Sequence, residues 1–92
     1  MIRSFKGRRT RRFFEGQRVA AFHGCSDQAV RRLTLLDSAE TLGDLAALPS
    51  NRLQALRGDR TGQHSIRINT QWRICFRWTD DGPSDVKIVD YH

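Results

Sequence analysis

The sequence predicts an α+β fold, in which an N-terminal strand and helices pack on a mostly antiparallel β-sheet. Residues 27–48 place apolar side chains at helical spacing, whereas the second half alternates apolar and polar residues with the period of a strand. Helices followed by a run of strands are typical of α+β domains. A chain of 92 residues suffices for one small core, so we expect a single domain over residues 1–92.

The first half is expected to begin with a short strand, "MIRSF", and to enter a helix near Thr10. A second helix is expected from Ser26, because serine is a favoured residue at a helix N-cap. We expect this helix to break at Gly43 and the helical half to end at Pro49. Four of its apolar residues are expected in the core: Val30, Leu33, Leu36 and Leu45.

The second half predicts four strands, in "RLQAL", in the two arms of a hairpin and in "VKIVDYH". The hairpin is "HSIRINTQWRICFRW". Its apolar side chains stay on one face only if the paired residues have numbers that sum to an even value, because a shift of one residue turns every side chain to the other face. That register sets Ile66 opposite Ile74 and Arg67 opposite Arg73. Opposed like charges on a sheet cost roughly 0.2–1 kcal/mol, so the arginine pair is either a solvated face or a site for an anion. We expect Arg73 to project from the open side, where its truncation leaves no cavity.

The charge of the chain predicts a polyanionic partner. Sixteen Lys and Arg residues against ten Asp and Glu give a net charge of +6, and all but two of the sixteen are arginine. The planar guanidinium suits phosphate, and nucleic acid is the first expectation for a basic domain. The cluster "KGRRTRRFF" is either the solvated face of a short helix or a patch that docks on phosphates or on an acidic partner.

Several other classes of protein are disfavoured. No apolar run approaches the roughly 20 residues of a membrane span, and the N-terminus has no apolar signal-peptide region, so we expect a cytoplasmic protein with no membrane partner. Cys25 and Cys75 lie far apart and are expected to be reduced thiols. The histidines, cysteines and carboxylates show no zinc or magnesium spacing, so we expect neither a metal nor a cofactor.

The chain resembles a known family from end to end. The stretch "RLQALRGDRTGQHSIRINTQWRICFRW", the final "VDYH" and the opening "MIRSF" are similar to the HigB toxins of bacterial toxin–antitoxin pairs, in the RelE-like superfamily. The spacing L-x-G-x-R-x-G-x-x-S-I-x-x-N-x-x-W-R is specific to that family. The resemblance implies a RelE-like fold and a type II toxin that cleaves mRNA in the A site of the 30S ribosomal subunit and inhibits translation.

The resemblance also implies the partners. They are mRNA on the ribosome and a cognate HigA-like helix-turn-helix antitoxin, with operator DNA reached only through the antitoxin complex. We expect the antitoxin to bind the "KGRRTRRFF" segment and the helical half, on the side of the sheet opposite Arg73.

Five site positions carry over from the family motif: Arg57, Arg73, Asp90, Tyr91 and His92. The resemblance implies that Arg73, Asp90, Tyr91 and His92 are catalytic and that Arg57 binds the RNA phosphates. Charge and register add Arg60 and Arg67 as RNA- or phosphate-binding residues. These residue types suit metal-independent cleavage, which needs a base, an acid and fixed positive charge at the phosphorus.

The chain departs from the family pattern at three positions. Gln54 stands where many relatives have a histidine, and glutamine cannot transfer a proton. Arg57 replaces a lysine, and His64, expected at the edge of the core, replaces an aromatic residue. We therefore expect a toxin of reduced potency. Two alternatives stay open: an RNA- or ribosome-binding inhibitor that does not cleave, which Gln54 favours, and a subunit that acts as co-repressor with its antitoxin.

Overall fold

A computed structural model describes residues 1–91 and places three helices beside a four-stranded antiparallel sheet. The helices are α1 (Arg8–Phe14), α2 (Ser26–Ser38) and α3 (Leu42–Ala46); the strands are β1 (Gln54–Ala55), β2 (Gln63–Arg67), β3 (Trp72–Thr79) and β4 (Gly82–Asp90). The strands lie in the sheet in chain order, each antiparallel to the next. The predicted α+β fold is confirmed.

The hairpin of β2 and β3 has the register that the alternation predicts. Ile66 pairs with Ile74, and Arg67 pairs with Arg73. The side-chain oxygen of Asn69 fixes the turn, because it accepts hydrogen bonds from the backbone N–H groups of residues 71 and 72 at 2.9 and 2.8 Å. Both arginines therefore lie on the same side of the sheet.

One face of the sheet packs against the helices and forms the core. Buried side chains from α2, α3 and the three longer strands meet there: Ala29, Leu33, Leu36, Leu45, Ile66, Ile74, Phe76, Val86 and Ile88. The opposite face, called the polar face below, carries the intervening residues Ser65, Arg67, Arg73, Cys75 and Lys87. The candidate site is built on the polar face.

The helical half differs from the prediction at its break and at one core position. α2 ends at Ser38, and α3 begins after Thr41, so Gly43 lies inside α3. Thr41 and Asp44 form a capping box. The Asp44 carboxylate accepts hydrogen bonds from backbone N–H groups, and these bonds lower its pKa. Val30 is 51% exposed, because the buried stripe of α2 runs through Ala29, Leu33 and Leu36.

The strand predicted for residues 1–5 is a single bridge. Phe5 pairs in parallel with Val86 of β4, and the chain then turns at Gly7, whose φ of 90° favours glycine. α1 begins directly afterwards, and its buried Thr10 accepts a hydrogen bond from the backbone N–H of Ile88 at 3.1 Å. The N-terminal segment thus covers the outer edge of β4. β1 is shorter than "RLQAL", and β4 begins four residues before "VKIVDYH".

Candidate active site

Arg73 lies on the polar face, as the register predicts, but it is buried there, so the expectation of an open position is wrong. Its side chain is 8% exposed. The Nε atom donates a hydrogen bond to Ser65 Oγ at 2.9 Å, and Nη2 donates to the carbonyl oxygen of Arg52 at 2.7 Å. Burial lowers the pKa of the Arg73 guanidinium, while Tyr91 acts in the opposite direction. The sheet therefore holds a cation in a fixed position.

A cleft of about 240 Å³ opens beside this guanidinium; we call it the arginine cleft. It is lined by Arg52, Gln54, Arg67, Asn69, Thr70, Arg73 and Tyr91. Three positive charges meet there, and no carboxylate is among the lining residues. The charges of Arg67 and Arg52 add to burial in lowering the pKa of Arg73, as expected for cations brought close together. The arginine cleft is an anion-binding environment.

Arg52 was missed by the sequence analysis. Its backbone is left-handed, with a φ of 45°, which is uncommon for a residue that is not glycine. Asparagine tolerates this conformation better, but the preceding Asn51 is fully buried and its side-chain amide donates to the carbonyl of Leu45 at 3.0 Å. Arg52 takes the left-handed position instead; Arg73 donates a hydrogen bond to its carbonyl oxygen, and Arg52 lines the arginine cleft.

Tyr91 is held at the mouth of the arginine cleft by two contacts. Its ring centroid lies 5.7 Å from the Arg73 guanidinium carbon, a cation–π distance. Its backbone N–H donates to the carbonyl oxygen of Gln71 at 2.6 Å. The Gln71 side-chain amide also donates to Asp90 Oδ2 at 3.1 Å, so one glutamine fixes both residues. Gln71 reads as an ordinary turn residue in the sequence, and no pattern there indicates this role.

The structure brings together some of the predicted site residues and separates others. Arg67, Arg73 and Tyr91 line the arginine cleft. Asp90 follows Val89 on the other face of β4 and lines a different cleft beside Trp72. The exposed Arg57 does not line the arginine cleft, and Arg60 lies 3.8 Å from Cys75 Sγ, farther along the polar face. His92 lies outside the described residues.

Two further features of the sequence have clear positions. His64 is half-buried and stacks on Phe76 with ring centroids 6.2 Å apart, which confirms its place at the edge of the core. Cys25 and Cys75 are buried free thiols, and burial raises the pKa of each.

Within residues 1–91, no three His, Cys, Asp or Glu side chains gather as a metal site, and no helix is long and apolar enough to cross a membrane.

A small α+β domain with arginines around a cleft on its sheet has the architecture expected of RelE-like toxins. Comparison with known families agrees with this class. The family model described as the RelE-like toxin of type II toxin–antitoxin system HigB matches residues 3–92. The chain belongs to the HigB-like toxin family.

Two relatives show the extent of the similarity. Toxin HigB-1 of Vibrio cholerae serotype O1 (strain ATCC 39315 / El Tor Inaba N16961) is 44% identical over 50 residues, covering 54% of this chain and 53% of that toxin. The match to this relative thus spans about half of its length. Endoribonuclease HigB of Proteus vulgaris is 31% identical over 93 residues, which cover the whole of both chains.

Proposed function

We propose that this protein is the toxin of a type II toxin–antitoxin system and cleaves mRNA on the ribosome without a metal ion. One observation carries the proposal: Arg52, Arg67 and the buried Arg73 line one cleft together with Tyr91, whose ring lies beside the Arg73 guanidinium. The relative that spans this chain end to end is named an endoribonuclease. A phosphodiester is the anion in RNA that such a cleft would hold.

The proposed reaction is an internal transesterification of RNA. The 2′-oxygen attacks the adjacent phosphorus, the bond from phosphorus to the 5′-oxygen breaks, and the proton lost by the 2′-hydroxyl is balanced by one gained at the 5′-oxygen. The products are a 2′,3′-cyclic phosphate and a 5′-hydroxyl. Charge accumulates on the phosphoryl oxygens in the transition state, and a guanidinium already fixed at Ser65 and Arg52 stabilises it without reorganisation.

Roles for the individual residues follow from their positions. Arg73 would stabilise the transition state, while Arg52 and Arg67 would hold the phosphate at the mouth of the cleft. The Tyr91 hydroxyl and the His92 imidazole are the groups proposed to move protons. We propose that Asp90 acts with Gln71 in positioning the end of β4, since its carboxylate accepts the Gln71 amide. Arg57 and Arg60 would bind RNA phosphates outside the arginine cleft.

Gln54 supports both the ribosome dependence and a reduced potency. Its side chain lines the arginine cleft, where it can donate and accept hydrogen bonds but cannot carry a proton. The acid–base set within the chain is therefore sparse, and the ribosome would supply the RNA geometry that the protein alone does not. The partners proposed are mRNA in the 30S A site, a HigA-like antitoxin and, through that complex, operator DNA, all in the cytoplasm.

The ends of the RNA fragments test this chemistry. The proposed reaction predicts fragments that polynucleotide kinase labels directly at a free 5′-hydroxyl, with cyclic phosphates at the other ends. Fragments with 5′-phosphates would contradict attack by the 2′-oxygen. The second candidate function, a ribosome-binding inhibitor that does not cleave, is favoured by Gln54 and predicts arrested translation with no new ends.

A further inference from the structure

A second, larger cleft runs along the outer edge of β4; we call it the edge cleft. It measures about 650 Å³. Five exposed cations line it: Lys6, Arg8, Arg9, Arg60 and Lys87. None of the five forms an ion pair within residues 1–91, where the one pair present joins Arg77 to Asp85. Asp90 is the one carboxylate among the residues that line this cleft, so the cations outnumber it five to one, repel one another and gain free energy when an anion binds.

The fold brings these cations together from three separate segments. Gly7 turns the chain out of its pairing with β4, and Thr10 then fastens α1 to the backbone of Ile88. Arg60 approaches from the loop before β2 and contacts Cys75 of the polar face. The start of the "KGRRTRRFF" segment therefore shares a cleft with residues of the polar face. Phe13 of the same segment packs into the core on the side opposite Arg73, as expected, so only the start of the segment reaches the edge of the sheet.

The edge cleft continues from the candidate active site. Val89 and Asp90 line the edge cleft, and the next residue, Tyr91, lines the arginine cleft. Val89 is also the strand partner of Arg73. A polyanion held at Arg73 therefore needs to pass only the end of β4 to reach the five cations.

We propose that the edge cleft binds the phosphodiester backbone of RNA beside the cleaved nucleotide. This inference rests on the proposed function, because it takes the arginine cleft as the place of cleavage. The RNA is either the substrate strand continuing out of the arginine cleft or ribosomal RNA that the toxin meets in the A site. Both present the same phosphodiester chemistry, and the two sources are separated by experiment.

The test compares two double variants of equal net charge. Arg8→Gln/Lys87→Gln removes two cations of the edge cleft, whereas Arg3→Gln/Arg31→Gln removes two exposed cations elsewhere. The probes are a fluorescent single-stranded RNA with 2′-O-methyl groups, which cannot be cleaved by the proposed reaction, and 30S subunits without mRNA. Each lost phosphate contact lowers the slope of log K against log salt by about 0.7 for single-stranded RNA.

The cleft variant is expected to lose roughly 1.4 of that slope and the control variant close to none. If the cleft variant loses affinity for the oligonucleotide, the bound RNA is the substrate strand. If it loses affinity for 30S subunits alone, the bound RNA is ribosomal RNA. Equal binding of both variants to both RNA probes would overturn the inference. Poly-glutamate is the third probe: if the cleft variant loses binding to poly-glutamate alone, the edge cleft binds an acidic protein partner and the inference is overturned. Cleavage by the parent protein is measured separately, so failure of the proposed function is recognised independently.

Discussion

The Nη2 atom of Arg73 lies 2.7 Å from the carbonyl oxygen of Arg52, so a buried arginine fixes the backbone of an exposed one. The bond joins β3 to a residue two positions before the first strand, across 21 positions of the chain. Arg52 is left-handed, and such strained conformations persist where the surrounding structure holds them. Both arginines line the arginine cleft, and the buried one holds the backbone of the exposed one in place.

Replacing Arg73 with alanine is expected to destabilise the fold as well as abolish growth inhibition. The change leaves the buried Ser65 hydroxyl and the Arg52 carbonyl without their donor, at a cost of about 2–3 kcal/mol in the free energy of unfolding. Urea denaturation measures that loss. Arg67→Ala is the control, because the half-buried Arg67 side chain donates no hydrogen bond within residues 1–91 and its loss is expected to cost less than about 0.5 kcal/mol. An Arg73→Ala protein as stable as its parent would contradict the buried position.

Replacing Arg52 with glycine separates function from stability. Glycine adopts the left-handed backbone freely, so the variant is expected to be as stable as the parent or more so. Cleavage is expected to fall roughly 10- to 100-fold, which corresponds to one charged hydrogen bond of about 1.5–3 kcal/mol to the phosphate. Arg52→Lys keeps the charge and is expected to retain more activity. Parental cleavage rates in the glycine variant would exclude Arg52 from phosphate binding.

Tyr91→Phe tests the hydroxyl without disturbing the ring. Phenylalanine keeps a ring over the Arg73 guanidinium, so melting curves are expected to match those of the parent. If the hydroxyl moves a proton, cleavage falls by about 10²–10⁴-fold. Tyr91→Leu, which lacks both ring and hydroxyl, is the companion variant and is expected to lose stability too. Full cleavage by Tyr91→Phe would leave proton transfer to other groups.

Gln54→His is expected to raise cleavage. Residue 54 lines the arginine cleft, and an imidazole there can transfer a proton, with a pKa that the neighbouring guanidinium groups hold below the usual value of about 6.5. The gain over the parent should depend on pH, because the cleavage rate of the variant gains one inflection, below a pH of about 6.5, beyond any that the parent shows. Ala55→His places the same side chain at the next residue, outside the lining of the arginine cleft, and serves as control. A gain of equal size in both variants would indicate a general effect of the added histidine.

The sequence predicted the sheet better than it predicted the site. Alternation fixed the register of Arg67 and Arg73, because a shift of one residue would expose the core. The capping box of Thr41 and Asp44 was not predicted, and the break was expected at Gly43, which lies inside α3. The burial of Arg73 could not be predicted from the sequence, since its hydrogen-bond acceptors belong to residues 8 and 21 positions away along the chain. Arg52 depends on the same tertiary contact.

Primer extension on mRNA from an actively translating extract tests the central claim most directly. The parent protein is expected to produce discrete new 5′ ends within codons, while the same RNA without ribosomes stays intact. Tyr91→Phe at equal concentration is the matched control, because it is expected to fold like the parent and to produce few ends. Translation that stops without new 5′ ends, or equal cleavage of ribosome-free RNA, would contradict a ribosome-dependent endonuclease.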